Sequence, residues 1–247
     1  MTQSDSRATR NRGGSKPATS RPYARSTRLA LLCSTLLLAS AALGCGGGHH
    51  HAEHGGAHDA NHRFEDPEVW TKEFDDPERE AWQKPDEVVA LMAIEPGMAV
   101  VDLGAGTGYF LPYLSSAVGP TGAVVGLDIE PKMVDFMVAR AAKLGLANTT
   151  AQVVPADGPG LAAHSVDRIL IVDTWHHLPE REVYTPKLAA ALKEGGQLVI
   201  VDFTPESERG PSHKLAAEDV VAELVAAGME AVVLEETLPD QYIVVAH

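Results

Sequence analysis

Residues 100–110 read "VVDLGAGTGYF". Val100 and Val101 have the apolar, β-branched character of a buried strand. Asp102 follows, and then three glycines alternate at Gly104, Gly106 and Gly108. Glycine removes the Cβ where backbone must come close to a ligand. A strand, a glycine loop and a helix at the head of a parallel sheet place that ligand at the carboxyl ends of the strands. The spacing narrows the choice of ligand. A dinucleotide loop has the form G-x-G-x-x-G, with a diphosphate on the helix N-terminus. Reading on from Gly104, the third glycine position holds Tyr109. The pattern here is D-x-G-x-G-x-G. A diphosphate beside Asp102 would be repelled, whereas a cationic amino-acid group would be held.

Working outward, strand and helix patterns alternate. Upstream, "DEVVALMAI" (Asp86–Ile94) predicts an amphipathic helix with Asp86 as its N-cap. Before it, "RFEDPEVWTKEFDDPEREAWQKP" predicts turns and short helix, with Trp70, Phe74 and Trp82 as anchors. Downstream, "GYFLPYLSSAV" reads as a helix, "GAVVGLDI" as strand two, and Pro131 opens a second helix. "TTAQVVPA" is strand three and "VDRILIVDT" is strand four, an apolar run suited to a strand covered on both faces. "REVYTPKLAAALKEGG" predicts a helix ending in glycine, kinked or started late by Pro186. "QLVIVDFT" is strand five, "KLAAEDVVAELVAAGM" a helix, and two strands around a Leu-Pro-Asp turn close the chain. Strand–helix units in series give a parallel sheet with helices on both faces. The last two strands lack a helix between them and must pair antiparallel. The expected fold is α/β: a three-layer sandwich with a seven-stranded, mostly parallel sheet and an antiparallel C-terminal strand.

"VVDLGAGTGYF" resembles motif I of class I S-adenosylmethionine-dependent methyltransferases, and the rest lines up in order over residues 64–247. "VVGLDIEP" carries Asp128 at the end of strand two, with Ile129, also expected to contact the cofactor, next to it. The resemblance implies that Asp128 takes the ribose hydroxyls. It implies that Asp102, Gly104, Ala105, Gly106 and Gly108 hold the cofactor's amino-acid end. Asp157 in "PADGPG" is implied at the adenine, and "VDTWHHL" at the methyl-transfer site. "LKEGGQLVIVDF" matches the family's glycine turn and fifth strand. The cofactor implied is S-adenosyl-L-methionine, and the fold implied is Rossmann-like.

Transfer of a sulfonium methyl to an O–H or N–H acceptor needs positioning and a base. Asp173, His176 and His177 follow strand four. An imidazole, with its ordinary pKa close to neutrality, suits a base there. His176 is the expected base or acceptor-orienting group, with Asp173 lining the site. Asp173 is also expected to touch the cofactor. Aromatics make up only 5% of the chain, which argues against a stacked planar acceptor. Tyr109, Trp175 and Tyr184 are the rings placed to reach the site. A small molecule is the expected acceptor.

Charge is uneven. Residues 1–44 hold seven Lys or Arg and one acid, so the remainder has 13 basic and 33 acidic residues. That body, at −20, repels nucleic-acid phosphates. Within residues 1–44, an uncharged run, "LALLCSTLLLASAAL" (Leu29–Leu43), follows a basic stretch. At 15 residues it is short for a membrane span and fits an export signal or anchor. Cys45 follows it and resembles the lipidated cysteine of a bacterial lipoprotein. Cleavage after Ala41 and an uncleaved anchor are the competing readings. The expected location is the membrane or cell envelope, with tethering on the cytoplasmic face as the other arrangement. Residues 45–63 form a linker with His49, His50, His51, His54, His58 and His62, a weak divalent-metal site or a solvated tether. From residue 64 on there is no cysteine, which excludes thiol chemistry in the body. The alternative function is an exported lipoprotein with this fold that binds metal or a small molecule. A nicotinamide-dependent dehydrogenase is disfavoured by the glycine spacing.

Overall fold

In this computed structural model, residues 66–234 and 238–247 are described. The segments read as signal and linker, with Cys45 and the six histidines from His49 to His62, lie outside them. The quoted stretch supplies β1 (Ala99–Leu103). It pairs in parallel with β2 (Ala123–Asp128) on one side and β4 (Val166–Val172) on the other. β3 (Thr149–Val153) flanks β2, and β5 (Leu192–Phe203) flanks β4. β7 (Gln241–Ala246) inserts antiparallel between β5 and β6 (Ala231–Leu234). The strand order is therefore β3-β2-β1-β4-β5-β7-β6. The order reverses between β1 and β4, and a crevice opens at their carboxyl ends.

Period-two alternation sorts the side chains into two apolar layers. Val101, Leu103, Ile169, Ile171 and Ile200 join Tyr184 and Leu188 of α6 (Arg181–Ala191) and Val220 and Leu224 of α7 (Ala217–Ala226). Val100, Leu170, Val172, Val199 and Val201 join the opposite layer. There they meet Val88 of α3 (Pro85–Leu91), Leu114 and Val118 of α4 (Leu111–Val118), and Met137 of α5 (Pro131–Leu144). This is the expected three-layer sandwich. Ahead of it run α1 (Pro67–Phe74) and α2 (Arg79–Gln83). Asp66 caps α1, its carboxylate accepting from the Glu68 N–H at 3.1 Å, and Pro67 suits the first helical position.

Three local expectations are corrected. Asp86 is not an N-cap: α3 starts at Pro85, after Lys84 in a left-handed conformation, and Asp86 lies in its first turn. Pro186 does not delay α6, which starts at Arg181 and runs through it. That helix also ends at Ala191, before its glycines. The carbonyls of Ala190 and Ala191 accept from the N–H groups of His164 and Ser165, both at 2.9 Å. The chain then turns extended at Leu192, which pairs with Val166. Among the described residues, no helix is long and apolar enough to cross a membrane.

Candidate active site

The glycine loop is tied down by its own amides. The N–H groups of Gly104 and Ala105 both donate to the Leu127 carbonyl, at 2.8 and 3.0 Å. Gly106 N–H donates to the Asp128 carboxylate at 2.9 Å, and Gly108 N–H to the Ala105 carbonyl at 2.8 Å. Four amides that would have to greet a diphosphate are thus already used within the fold. Gly104 has a positive φ of 72°, and a Cβ there would lie 2.3 Å from the Thr174 side chain. That close approach joins the β1 and β4 loops across the crevice.

Asp102 sits at the floor, 3% exposed. Burial pushes its carboxyl up to about 7, with the Arg79 guanidinium pulling it down and Asp128 adding to the rise. Asp128 is half-buried. One of its oxygens accepts from Gly106 and the other from the Glu130 N–H at 2.9 Å. Burial raises its pKa despite those bonds. Each oxygen keeps a lone pair for a further donor. Ala105 lines the same crevice. Ile129 is exposed beside Asp128, and Asp157 stands exposed in the turn after β3, lining neither the crevice nor the cavity beside it. The main-chain carbonyl of Asp157 accepts from the Lys187 ammonium.

The lead-in closes the crevice from above, which the sequence pattern did not disclose. Phe74 lies over Gly106, and Arg79 lies over the Tyr109 ring with its carbon 4.3 Å from the centroid. Arg79 is 8% exposed. It donates to Gln83 at 3.1 and 3.0 Å, to the Phe74 carbonyl at 2.7 Å, and to Asp173 at 3.4 Å. Asp75 accepts from Thr107 in the glycine loop at 2.9 Å and pairs with Arg140 of α5 at 2.6 Å. The crevice so closed measures about 80 Å³.

A second cavity, of about 330 Å³, adjoins it, and Phe74, Arg79 and Asp173 line both. Asp173 is in a left-handed conformation, φ 51°, at the end of β4, and its carboxylate accepts from Gln241 as well as Arg79. Burial pushes it to about 7, against the pull of Arg79. His176 and His177 follow on a 3₁₀ turn (Trp175–His177), their rings 4.1 Å apart. His176 is 7% exposed, and its Nδ1 lies 2.8 Å from both oxygens of Asp202 on β5. Asp202 also accepts the His176 main-chain N–H at 3.2 Å. A carboxylate at Nδ1 places the proton there and leaves Nε2 as the basic nitrogen.

The expected rings are corrected. Trp175 is fully buried in the core and donates to Glu223 at 3.0 Å; Tyr184 is buried there too. Of those three rings, only Tyr109 lines the site, under Arg79. Nor do the few aromatics keep away from the acceptor side: Trp70, Phe74, Trp82 and Phe203 all line the larger cavity. Low aromatic content says nothing about where the few rings gather. Among the described residues, no cluster of three or more His, Cys, Asp or Glu is placed to hold a metal ion.

Residues 94–237 match the family model described as "Methyltransferase domain". A crystal structure of a SAM-dependent methyltransferase from Aquifex aeolicus superposes with a TM-score of 0.68 at 30% identity, over 73% of this chain and 97% of that one. The chain belongs to the S-adenosylmethionine-dependent methyltransferase family. Among curated relatives, this methyltransferase is 30% identical to nocamycin O-methyltransferase of Saccharothrix syringae, over 53% of the chain and 49% of the relative. It is 32% identical to aklanonic acid methyltransferase DauC of Streptomyces sp. (strain C5), over 41% and 46%. The chain spans about half the length of the curated relatives it matches. The family's cofactor is S-adenosylmethionine, and the residues of the crevice fit it: Asp102 and Arg79 offer the opposite charges that a zwitterionic methionyl end would need, and Asp128 keeps lone pairs that suit a ribose diol.

Proposed function

We propose that this methyltransferase transfers the methyl of S-adenosylmethionine to a small-molecule acceptor seated in the cavity beside His176. The observation that carries the reading is the pairing of a buried acid, Asp102, with four loop amides, of Gly104, Ala105, Gly106 and Gly108, that are already bonded within the fold. That floor accepts an ammonium and refuses a diphosphate. When bound, the cofactor supplies an electrophilic methyl on sulfonium sulfur. Asp102 holds the amino group, and Arg79 faces the carboxylate. His176 Nε2 takes the acceptor's proton, and Asp202 fixes the imidazole's tautomer and orientation and steadies its charge once protonated. The names of the relatives, which act on nocamycin-type and aklanonic acid substrates by their titles, support a small-molecule acceptor.

Titration of the full chain with S-adenosylhomocysteine and with NAD tests this. Saturable binding of the first and none of the second is expected. Binding of NAD alone would sink the reading, and binding of neither would favour a non-enzymatic module. For residues 1–44 the proposal is an export signal or anchor that brings the domain to the membrane or envelope, with lipid attached at Cys45. Its support is the basic stretch followed by Leu29–Leu43. Membrane fractionation of Cys45→Ala against the unaltered chain checks it, with release to the soluble fraction as the expected outcome.

A further inference from the structure

Resting on the methyltransferase reading, we infer that the acceptor is a flat aromatic ring bearing an ionisable hydroxyl and no acidic substituent. Four rings from three separate elements converge on one cavity of about 330 Å³. Trp70 and Phe74 stack on α1, 5.4 Å apart at 24°. Trp82 of α2 meets Phe203 of β5 at 5.8 Å and 34°. Two of the chain's three tryptophans are among them, in a protein with few aromatics. The walls are braced. The Arg209 guanidinium lies 5.2 Å from the Trp82 ring, and Gly210, at φ 77°, presses on Phe203 so closely that a Cβ would lie 2.4 Å away. Aromatic walls favour a ring that offers its own face or edge.

Charge sets the second condition. The two guanidiniums lining the cavity are both paired, Arg79 with Asp173 at 3.4 Å and Arg209 with Asp240 at 3.1 Å. Glu73, Asp76 and Glu78 stand exposed around the same cavity. A carboxylate on the acceptor would meet like charge there, with Arg209 held by Asp240 and Arg79 shared between Asp173 and the cofactor's own carboxylate.

The base sets the third. His176 with its Asp202 carboxylate lines the same cavity. A phenolic hydroxyl titrates near 10, as tyrosine does, within reach of an imidazole base. An aliphatic hydroxyl is far less acidic, close to water itself, and beyond such a base. In the step, His176 Nε2 takes the phenolic proton and the oxygen forms a bond to the methyl carbon. The carbon–sulfur bond breaks, and its electron pair stays on the sulfur of S-adenosylhomocysteine.

The test uses the full chain with labelled S-adenosylmethionine and four probes: 2-naphthol, cyclohexanol, 4-hydroxybenzoate and benzylamine. Labelled 2-methoxynaphthalene is expected, with kcat/KM at least tenfold above each other probe. Calorimetry on protein saturated with S-adenosylhomocysteine is expected to show 2-naphthol binding. Trp82→Ala, with Trp82→Phe as the milder variant, is expected to weaken that binding about tenfold and fivefold while leaving S-adenosylhomocysteine affinity within twofold. Transfer to cyclohexanol, 4-hydroxybenzoate or benzylamine in preference to naphthol overturns the inference. So does S-adenosylhomocysteine binding without naphthol binding, and in that case the methyltransferase reading stands. Failure of both ligands to bind removes the reading and the inference together.

Discussion

The crevice under Gly104–Gly108 and the cavity beside His176 meet at Asp173, but the chain builds them in opposite ways. The crevice floor comes from one unbroken stretch, β1 and its loop, held by the Asp128 carboxylate of the neighbouring strand through the Gly106 N–H. The cavity draws its walls from α1, α2, the turn after β4, the end of β5 and the loop that follows it. One side is specified locally and is the proposed seat of a fixed cofactor. The other is assembled from distant parts, so it can change its guest while the floor stays as it is.

The most drastic way to separate the two regions is His176→Ala. Loss of a positioned base costs about 10²–10⁴-fold. kcat should fall by that order with S-adenosylhomocysteine affinity unchanged, as single-turnover kinetics and calorimetry would show. A joint loss of both would mean that the two regions are not separable. Asp202→Asn should follow with a smaller drop, about 10²-fold, and a shifted pH–rate profile. An unshifted profile would reduce Asp202 to a packing role.

On the other side, Asp102→Asn should weaken S-adenosylhomocysteine about 100-fold, the order of a charge-assisted contact of ~2–3 kcal/mol. It should also raise the melting temperature of the ligand-free protein. The sign is fixed by the raised pKa of about 7. Stability from the protonated form is fully present below the ordinary carboxylate range and is lost as pH rises through about 7. The gain from Asn is therefore largest above pH 7 and shrinks toward pH 4. Cofactor affinity runs the other way, because the ionised acid binds the ammonium. It should weaken by up to about tenfold per unit as pH falls below 7, and calorimetry from pH 5.5 to 8.5 would reveal a flat profile if Asp102 were idle. The smallest effect belongs to the clasp between the regions. Arg140→Ala should speed cofactor dissociation a few-fold by stopped flow, with little change in melting temperature, since one partly exposed pair contributes at most about 1 kcal/mol.

The same contrast explains what could be read from the sequence. Asp102, the three glycines and Asp128 were legible because each sits at a strand end fixed by apolar alternation. His176 was legible by its place after β4. Asp202 was not, because "VIVDF" reads as a strand, and an acid 26 residues beyond His176 carries no local mark of its partner. Arg79 was hidden likewise. Its charged neighbours suggest a solvated segment, and its burial depends on Gln83, which bonds to Gln241 across 158 residues. The stretch "FDDPEREAW" (Phe74–Trp82) held the signal, a phenylalanine and a tryptophan anchor set around one arginine, but anchors alone do not say what they cover. The helix α6 was overrun because the amides that stop it come from residues 164 and 165.

Asp75 grips the loop through Thr107 and the flanking helix through Arg140, so the leading segment is buttoned across the cofactor's own doorway. At about 80 Å³, the crevice is narrower than the ~300–1,000 Å³ usual for small-ligand sites. A nucleoside cofactor seated there, as proposed, is expected to exchange only as that fastening opens, so its release should keep time with a single carboxylate letting go.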